Sequence, residues 1–460
     1  MLPLEMQWNL QKIAQCKQKL GRAMLNDEHS LALYYHDFGK LAQSRPAAIC
    51  EPTSKEQLQE LISYAYKQRL PITIRGNGMS QSGQSLAAQG GLVLSMKHFN
   101  RIEEPNQDSI WIEANASWAG LLARSLKYSL VPYVVPYNCD LSIGGVLSVG
   151  GIGASSFQYG SATMHVRSLE VIQANGELVQ VDAQSPLMQA CLGGQGRFGL
   201  ITRAEITLRP CKPLVRTFFL MYEDKETWLH DLHQCQNQAN FIESFCTSAM
   251  QGTRLTEKGR TPFAQWFYAL HMSIEYEQHP PELSDLGLSP WKLTHVQEES
   301  IHSYLQRNES RFNAMKTTGQ WEQAHPWYEC FIPGSQIQHL EELLINLPLY
   351  YAPVVHIVAI ANHDLPKGFL MLPEDEEIFA MMILNPGLPK ALVPGSLETI
   401  KKLDMQLLSA GGKRYLSGFL GESLDTNYWK QHFGARYFDW HQLKETYDPH
   451  AIFRSMLHLQ

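Results

Sequence analysis

Three glycine-rich stretches between Ile74 and Thr202, each set against apolar strand-like sequence, constrain this chain more than any other feature. They read Ile74-Arg-Gly-Asn-Gly-Met-Ser-Gln-Ser-Gly-Gln84, Ser142-Ile-Gly-Gly-Val-Leu-Ser-Val-Gly-Gly-Ile-Gly153 and Leu192-Gly-Gly-Gln-Gly-Arg-Phe-Gly-Leu-Ile-Thr202. Glycine lets backbone N–H groups approach an anion with no Cβ in the way, and it admits positive φ, so such loops can cradle phosphate. Three of them point to a large nucleotide cofactor. The third contains Gly194-x-Gly196-x-x-Gly199, the spacing of the dinucleotide fingerprint, but that motif works only after a strand and at the start of a helix. Here residues 186–192 read as a helix and 200–208 as a strand. The reversed order argues against a nicotinamide-binding Rossmann unit.

A chain of 460 residues is too long for one ordinary core and predicts two domains, with 44% hydrophobic residues to fill them. The net charge of −7 and the lack of a basic run argue against nucleic acid as a partner. Residues 1–10 lack a basic segment followed by an apolar one, and no stretch approaches 18 uninterrupted apolar residues. The expectation is a cytoplasmic protein with no membrane partner. Eight cysteines without a CxxC, and 18 histidines without HxH or HExxH spacing, predict free thiols and no metal.

Residues 1–44 read as a helical lead-in. From Arg45 a short strand (46–52), a helix opened by a Ser-x-x-Gln cap (53–67) and strands at 70–74 and 91–96 form a β-α-β unit that delivers the first glycine loop after its second strand. Residues 168–181 read as a hairpin around Asn175-Gly176, with positive φ at both in a type I′ turn. Beyond Pro210 the glycine loops stop, and strands (264–276, 351–361) alternate with helices (335–345, 396–408), a separate α+β layer. A last helical run, 440–447, is stopped by Asp448-Pro449.

This order of motifs resembles the FAD-linked oxidases of the vanillyl-alcohol oxidase type, and within them most closely cytokinin dehydrogenase. The likeness rests on Arg75-Gly-Asn-Gly-Met-Ser80, Ile143-Gly-Gly-Val-Leu-Ser148, residues 193–202, His325-Pro-Trp327 leading to Phe331-Ile-Pro333, Glu376-Glu-Ile-Phe379, Tyr415-Leu416 and Trp429-x-x-His-Phe-Gly434 with Tyr447-Asp-Pro449. It implies an α+β, two-domain flavoprotein. A bipartite PCMH-type FAD-binding domain (45–210, with a C-terminal return over 411–460) would hold an inserted α+β substrate domain (211–410). By position, Arg75, Gly76, Asn77, Gly78, Met79, Ser80 and Gln84 would surround the FAD pyrophosphate and flavin. Ser142, Gly144, Gly145, Ser148, Ile152 and Ile201 would line the rest of the FAD site, and Tyr415 would reach the flavin. Trp327 would stack on a planar substrate, with Leu416 beside it. Trp266, Phe267, Tyr268 and Phe379 fit core positions of strands.

Two departures from the family pattern matter. The family's flavin-linking histidine falls on Met79, which has no nucleophilic nitrogen, so the flavin is expected to be non-covalent. The catalytic aspartate of cytokinin dehydrogenases falls on Tyr137, with Asp140 three residues on, so both are candidates for the active-site base or a substrate contact. A tyrosine with a pKa near 10 is a poor base unless a neighbour depresses it. The resemblance implies oxidation of the side-chain amine of an N6-substituted adenine, with oxygen or a quinone as electron acceptor. Oxidation of a sugar or alditol hydroxyl, and flavin binding without turnover, stand as the alternatives.

Overall fold

In this computed structural model, which describes residues 3–363, 365, 367–421 and 424–457, the first glycine loop leaves a small sheet with strand order Met24–Leu25, Ala48–Cys50, Leu92–Ser95, Ile72–Arg75. The last three strands run parallel and the first is antiparallel. The crossover helix Lys55–Gln68 starts where the Ser54 side chain accepts from the Gln57 amide, while Gln57 Oε1 accepts from the Thr53 amide 2.8 Å away. It buries Leu58, Leu61, Ile62 and Ala65 and stops at Arg69 in the left-handed region. The N-terminal lead-in is part of this layer. It supplies the edge strand Met24–Leu25, and the indole of buried Trp8 donates to the Pro71 carbonyl at 3.0 Å.

A second, antiparallel sheet follows, in the order Ser109–Glu113, Leu200–Pro210, Val166–Ile172, Leu178–Asp182, with Leu130–Pro132 paired to the far end of Leu200–Pro210. Its hairpin differs from expectation. Only Gly176 has positive φ (+93°), and Gly176 N donates to Gln173 O while Gln173 N donates to Glu177 O. The loop is therefore a longer one with a left-handed glycine rather than a two-residue type I′ turn. The helix Pro186–Cys191 and the strand Leu200–Pro210 flank the third glycine loop in the order read from the sequence.

The second domain is one eight-stranded antiparallel sheet, in the order Lys292–Ser300, Leu214–Tyr222, Gly259–Tyr276, Phe241–Thr256, Val355–Ile360, Ile378–Ile383, Tyr328–Pro333, Lys413–Arg414. Side chains alternate across it. Ile357, Phe379, Met381, Tyr328 and Cys330 pack beneath Lys225–Cys235, Leu340–Leu344 and Val393–Ser409, together with Trp228, Leu340 and Leu403. Phe331, Ile360, Ala380 and Met382 belong to a separate cluster with Trp327 and Tyr415 on the other face, toward the glycine loops. Trp266, Tyr268 and Phe379 lie in the helix-side core, whereas half-buried Phe267 faces the opposite way, against Trp291 at 6.0 Å.

The tail then returns to the first domain. Trp429, Phe433 and Trp440, on Thr426–Phe433 and Tyr437–Tyr447, join the same core as the first two sheets. The Asp448 carboxylate accepts from the amides of Ile452 and Phe453, which lets this segment lie beside Ile72: Ile72 N donates to Ile452 O at 2.7 Å and Arg454 N to Ile72 O at 3.0 Å. The chain is thus a two-domain α+β protein. Among the described residues no group of three or more His, Cys, Asp or Glu is gathered to hold a metal, and no helix is long and apolar enough to cross a membrane.

Candidate active site

The first glycine loop is held from outside by a strap at residues 37–39. Phe38 N donates to Gly78 O (2.9 Å) and Gly39 N to Ser80 O (3.1 Å), while the buried Asp37 carboxyl accepts from Ser80 Oγ and Gly83 N, both at 2.9 Å. Burial pushes the Asp37 carboxyl up, though both of these bonds oppose it. With its carbonyls turned to the strap, the loop leaves the amides of Asn77, Gly78, Met79 and Ser80 without a protein acceptor among the described residues. They border a long internal cavity. Side chains are excluded where the walls meet: a Cβ on Gly76 would lie 2.5 Å from Ser142 Oγ. Free consecutive amides in a small-residue cradle suit a pyrophosphate.

The second and third loops line the same cavity through Ser142, Gly144, Gly145, Ser148, Ile152 and Ile201. Gly144 lies against Ala114, its N–H donating to the Ala114 carbonyl at 2.7 Å. Ser148 Oγ donates to Gly144 O, and Gly151 N donates to the Tyr415 hydroxyl at 2.8 Å. Gln84 joins the first loop to the tail: Oε1 accepts from Ser82 N, and Nε2 donates to the carbonyls of Leu416 (3.1 Å) and Gly418 (3.3 Å). At the end near the first sheet, buried Arg197 donates to Ser455 Oγ at 2.9 Å and to the Leu457 carbonyl, and burial lowers its pKa to about 10. The three loops and the tail thus line one space with the free donors that a dinucleotide pyrophosphate needs, and these residues fit FAD.

The opposite wall is the open face of the eight-stranded sheet. The Trp327 indole N–H donates to Asn385 O (2.6 Å), its amide to Gln81 Oε1 (3.1 Å), and Phe38 packs against it at 5.1 Å and 71°. The ring is fixed as a rigid cavity wall. Tyr137 accepts from Arg311 Nη1 at 2.6 Å and stands edge-on to His356 at 5.7 Å. Burial pushes its phenol up despite Arg311, so it stays neutral, with its own O–H left to donate. Glu243 Oε2 accepts from Arg307 Nε at 2.7 Å. Burial opposes the charge, but Arg307 outweighs it and holds Glu243 below the usual carboxylate range. His356, also on this wall, is held down to about 3 by burial.

Two sequence-derived assignments need correction. Asp140 does not reach the cavity: its side chain is 59% exposed, with Oδ2 3.4 Å from Lys316 Nζ, because a turn in which Asp140 N donates to Asn138 Oδ1 directs it outward. Its carbonyl, which accepts from Asn77 Nδ2 at 2.7 Å, braces the first loop instead. Arg75 lies behind that loop, donating to His36 O at 2.9 Å, and supports it from below. Leu416 lines the cavity as expected, packing also against the first domain's core, with its carbonyl accepting from Gln84 Nε2 at 3.1 Å. Met79 and Tyr137 both line the cavity and pack against the cluster containing Phe38, Trp327 and Tyr415.

Sequence reading missed Glu243, Arg307, Arg311, Glu329 and His356, along with the strap at Asp37 and Phe38. A signal existed for two of them. Phe241-Ile-Glu-Ser-Phe and Tyr328-Glu-Cys-Phe-Ile each place a lone carboxylate in an apolar strand run, where burial demands a partner or a role.

Comparison with known proteins matches residues 46–182 to the FAD binding domain family and residues 236–455 to the family described as cytokinin dehydrogenase 1, FAD and cytokinin binding. Cytokinin dehydrogenase 4 of Oryza sativa subsp. japonica is 27% identical over 94% of this chain and 88% of its own length. Cytokinin dehydrogenase 1 of Arabidopsis thaliana is 26% identical over 94% and 81%. An uncharacterized oxidoreductase of the fasciation locus of Rhodococcoides fascians is 26% identical over 90% and 94%.

Proposed function

We propose that this chain, an FAD-dependent oxidoreductase of the cytokinin dehydrogenase type, oxidises the side-chain amine of an N6-substituted adenine and passes the electrons to oxygen or a quinone. The observation that carries the reading is the substrate end of the cavity, where a fixed indole face at Trp327 shares one wall with an ionised carboxylate at Glu243, and the neutral phenol of Tyr137 lines the same space. Bound FAD supplies the acceptor for a hydride leaving carbon. Met79 offers no nucleophilic nitrogen, so the cofactor is held through the loop amides without a covalent bond.

Trp327 gives a purine or its apolar substituent a flat contact. The Tyr137 O–H donates to a ring nitrogen, steadied by Arg311. Glu243 accepts a hydrogen bond from the exocyclic N–H. As the adjacent carbon gives up its hydride the nitrogen becomes strongly acidic, so even a carboxylate of lowered pKa can take the proton, while Arg307 keeps its charge as counter-ion. An outer polar recess, lined by Glu243, Arg307, Asn308 and Tyr137 as well as Gln297 and His302, opens a route for that proton to solvent.

The test is anaerobic bleaching of the flavin by a substrate panel. N6-isoprenoid adenines should reduce it faster than alditols or aldonolactones. Bleaching by sugars and by no adenine derivative would move the function to hydroxyl oxidation, and bleaching by neither would reject the reading.

A further inference from the structure

The mechanism above leaves one cavity carboxyl unused. Glu329 lies on the strand Tyr328–Pro333, two residues from Trp327 and on the same face, and it lines the cavity although its residue is buried. Its Oε2 accepts from Ser417 Oγ; Oε1 has no protein hydrogen bond among the described residues. No cation among the described residues is bonded to it. Arg414, the cation that acts on it, is on the helix side of the sheet, bonded to Asp404 at 2.9 Å and lying over the Tyr328 ring at 4.1 Å. The other titratable group facing it is the phenol of Tyr415, whose amide donates to the Glu329 carbonyl at 3.0 Å. The nearby first loop offers neutral Gln81 and Gln84. The backbone closes over the group, since a Cβ on Gly418 would sit 2.9 Å from Oε2.

We propose that Glu329 is a proton-exchange site coupled to the cofactor: its carboxylate takes up one solvent proton when a hydride brings negative charge into the cavity and releases it when that charge leaves. The balance is complete, because a hydride carries two electrons and one proton, and Glu329 takes one further proton from bulk solvent and returns it when the hydride leaves. A carboxyl without a bonded cation, in a wall of low dielectric, responds strongly to one added charge. Burial raises its pKa to about 7, against the Ser417 bond and Arg414, so it has a proton to exchange near neutrality. The proposal rests on FAD in this cavity and not on the identity of the substrate.

The experiment uses the FAD-loaded protein reduced chemically, by dithionite or at an electrode, so that it is independent of the substrate reading. Between pH 6 and 8 the reduction-minus-oxidation infrared spectrum should gain a protonated-carboxyl C=O band, and the midpoint potential should fall more steeply with pH, approaching one extra proton per two electrons. Both features should vanish in Glu329→Gln with FAD content unchanged. Ser417→Ala, which removes a donor to the ionised form, should move the break in the potential curve to higher pH and serves if Glu329→Gln folds poorly. The same band and slope in Glu329→Gln, or an unmoved break in Ser417→Ala, would overturn the proposal.

Discussion

Replacing Gly78 by alanine should uncouple the cofactor cradle from its support, and the size of the effect can be worked from two local costs. Gly78 has φ of +68°, which costs a residue with a Cβ about 1–2 kcal/mol. The new methyl would also lie 2.4 Å from Arg75 Nη2 and 2.7 Å from Cζ. A guanidinium is the flexible end of a side chain and can move. Here it is buried and donates to His36 O at 2.9 Å, so moving it gives up a charged hydrogen bond worth about 1.5–3 kcal/mol. The sum is about 2.5–5 kcal/mol, and if half of it falls on the bound geometry, FAD affinity drops by roughly tenfold or more. Equilibrium FAD titration and denaturant midpoints of the apoprotein measure the two parts. Gly319→Ala is the control: its φ is +76°, nothing lies within 4 Å of its Cβ, and only the conformational cost should appear, with FAD binding unchanged. Gly78→Ala together with Arg75→Met should cost less than the sum of the two singly. Wild-type FAD affinity and midpoint in Gly78→Ala would refute the argument.

The flavin should come off the protein in acid or on heating because of Met79, and fluorescence remaining on the denatured polypeptide in a gel would contradict this. Glu243→Gln should slow flavin reduction by about 10²–10⁴-fold with FAD retained, whereas Asp140→Asn should leave the rate within a few-fold, as stopped-flow bleaching will show. Tyr137→Phe should raise the apparent substrate Kd more than it lowers the reduction rate, since it removes a donor and not a base; a rate loss equal to that of Glu243→Gln reverses the roles. Buried His325 and His356 are held at about 4 and 3 by burial, below the ordinary 6.5. The unfolded chain therefore binds more protons, and stability present above pH 6.5 should fall as pH drops toward 4, by up to about 1.4 kcal/mol per unit for each histidine. Urea midpoints at pH 7, 6 and 5 measure it, and His356→Gln should flatten the curve.

What could be read from the sequence was what chemistry imposes locally. Positive φ and close approach single out glycine whatever lies far away in the chain, so Gly76, Gly78 and Gly144 were visible in one dimension, and they line the cavity. The crossover helix was legible from its cap and spacing. Residues that meet only through the sheet were not. Glu243 and Arg307 are 64 positions apart and pair across 2.7 Å, and Tyr137 finds Arg311 across 174 positions. Asp140 shows the opposite failure. Three residues from Tyr137 in sequence, it is turned outward by a single side-chain to backbone bond from Asn138, which nothing in its own identity foretells. Arg75 was likewise placed at the cofactor by its position in the first motif, yet a strand alternates its side chains, and its turn puts the guanidinium behind the loop.

On the reading proposed above, the tyrosine at position 137 leaves proton acceptance to Glu243 rather than abolishing it. A carboxylate at position 137 would face Glu243 within the same cavity, and two nearby carboxylates drive one another toward protonation. Tyr137 removes that repulsion: its neutral phenol takes the Arg311 hydrogen bond, and Glu243 stays ionised beside Arg307. The consequence is measurable. Tyr137→Asp should raise the pKa of the carboxylate pair and shift the acid limb of flavin reduction to higher pH, while in the wild type that limb lies below the usual carboxylate range. An unshifted limb in Tyr137→Asp would mean that the two positions do not share a field and that Glu243 is not the proton acceptor.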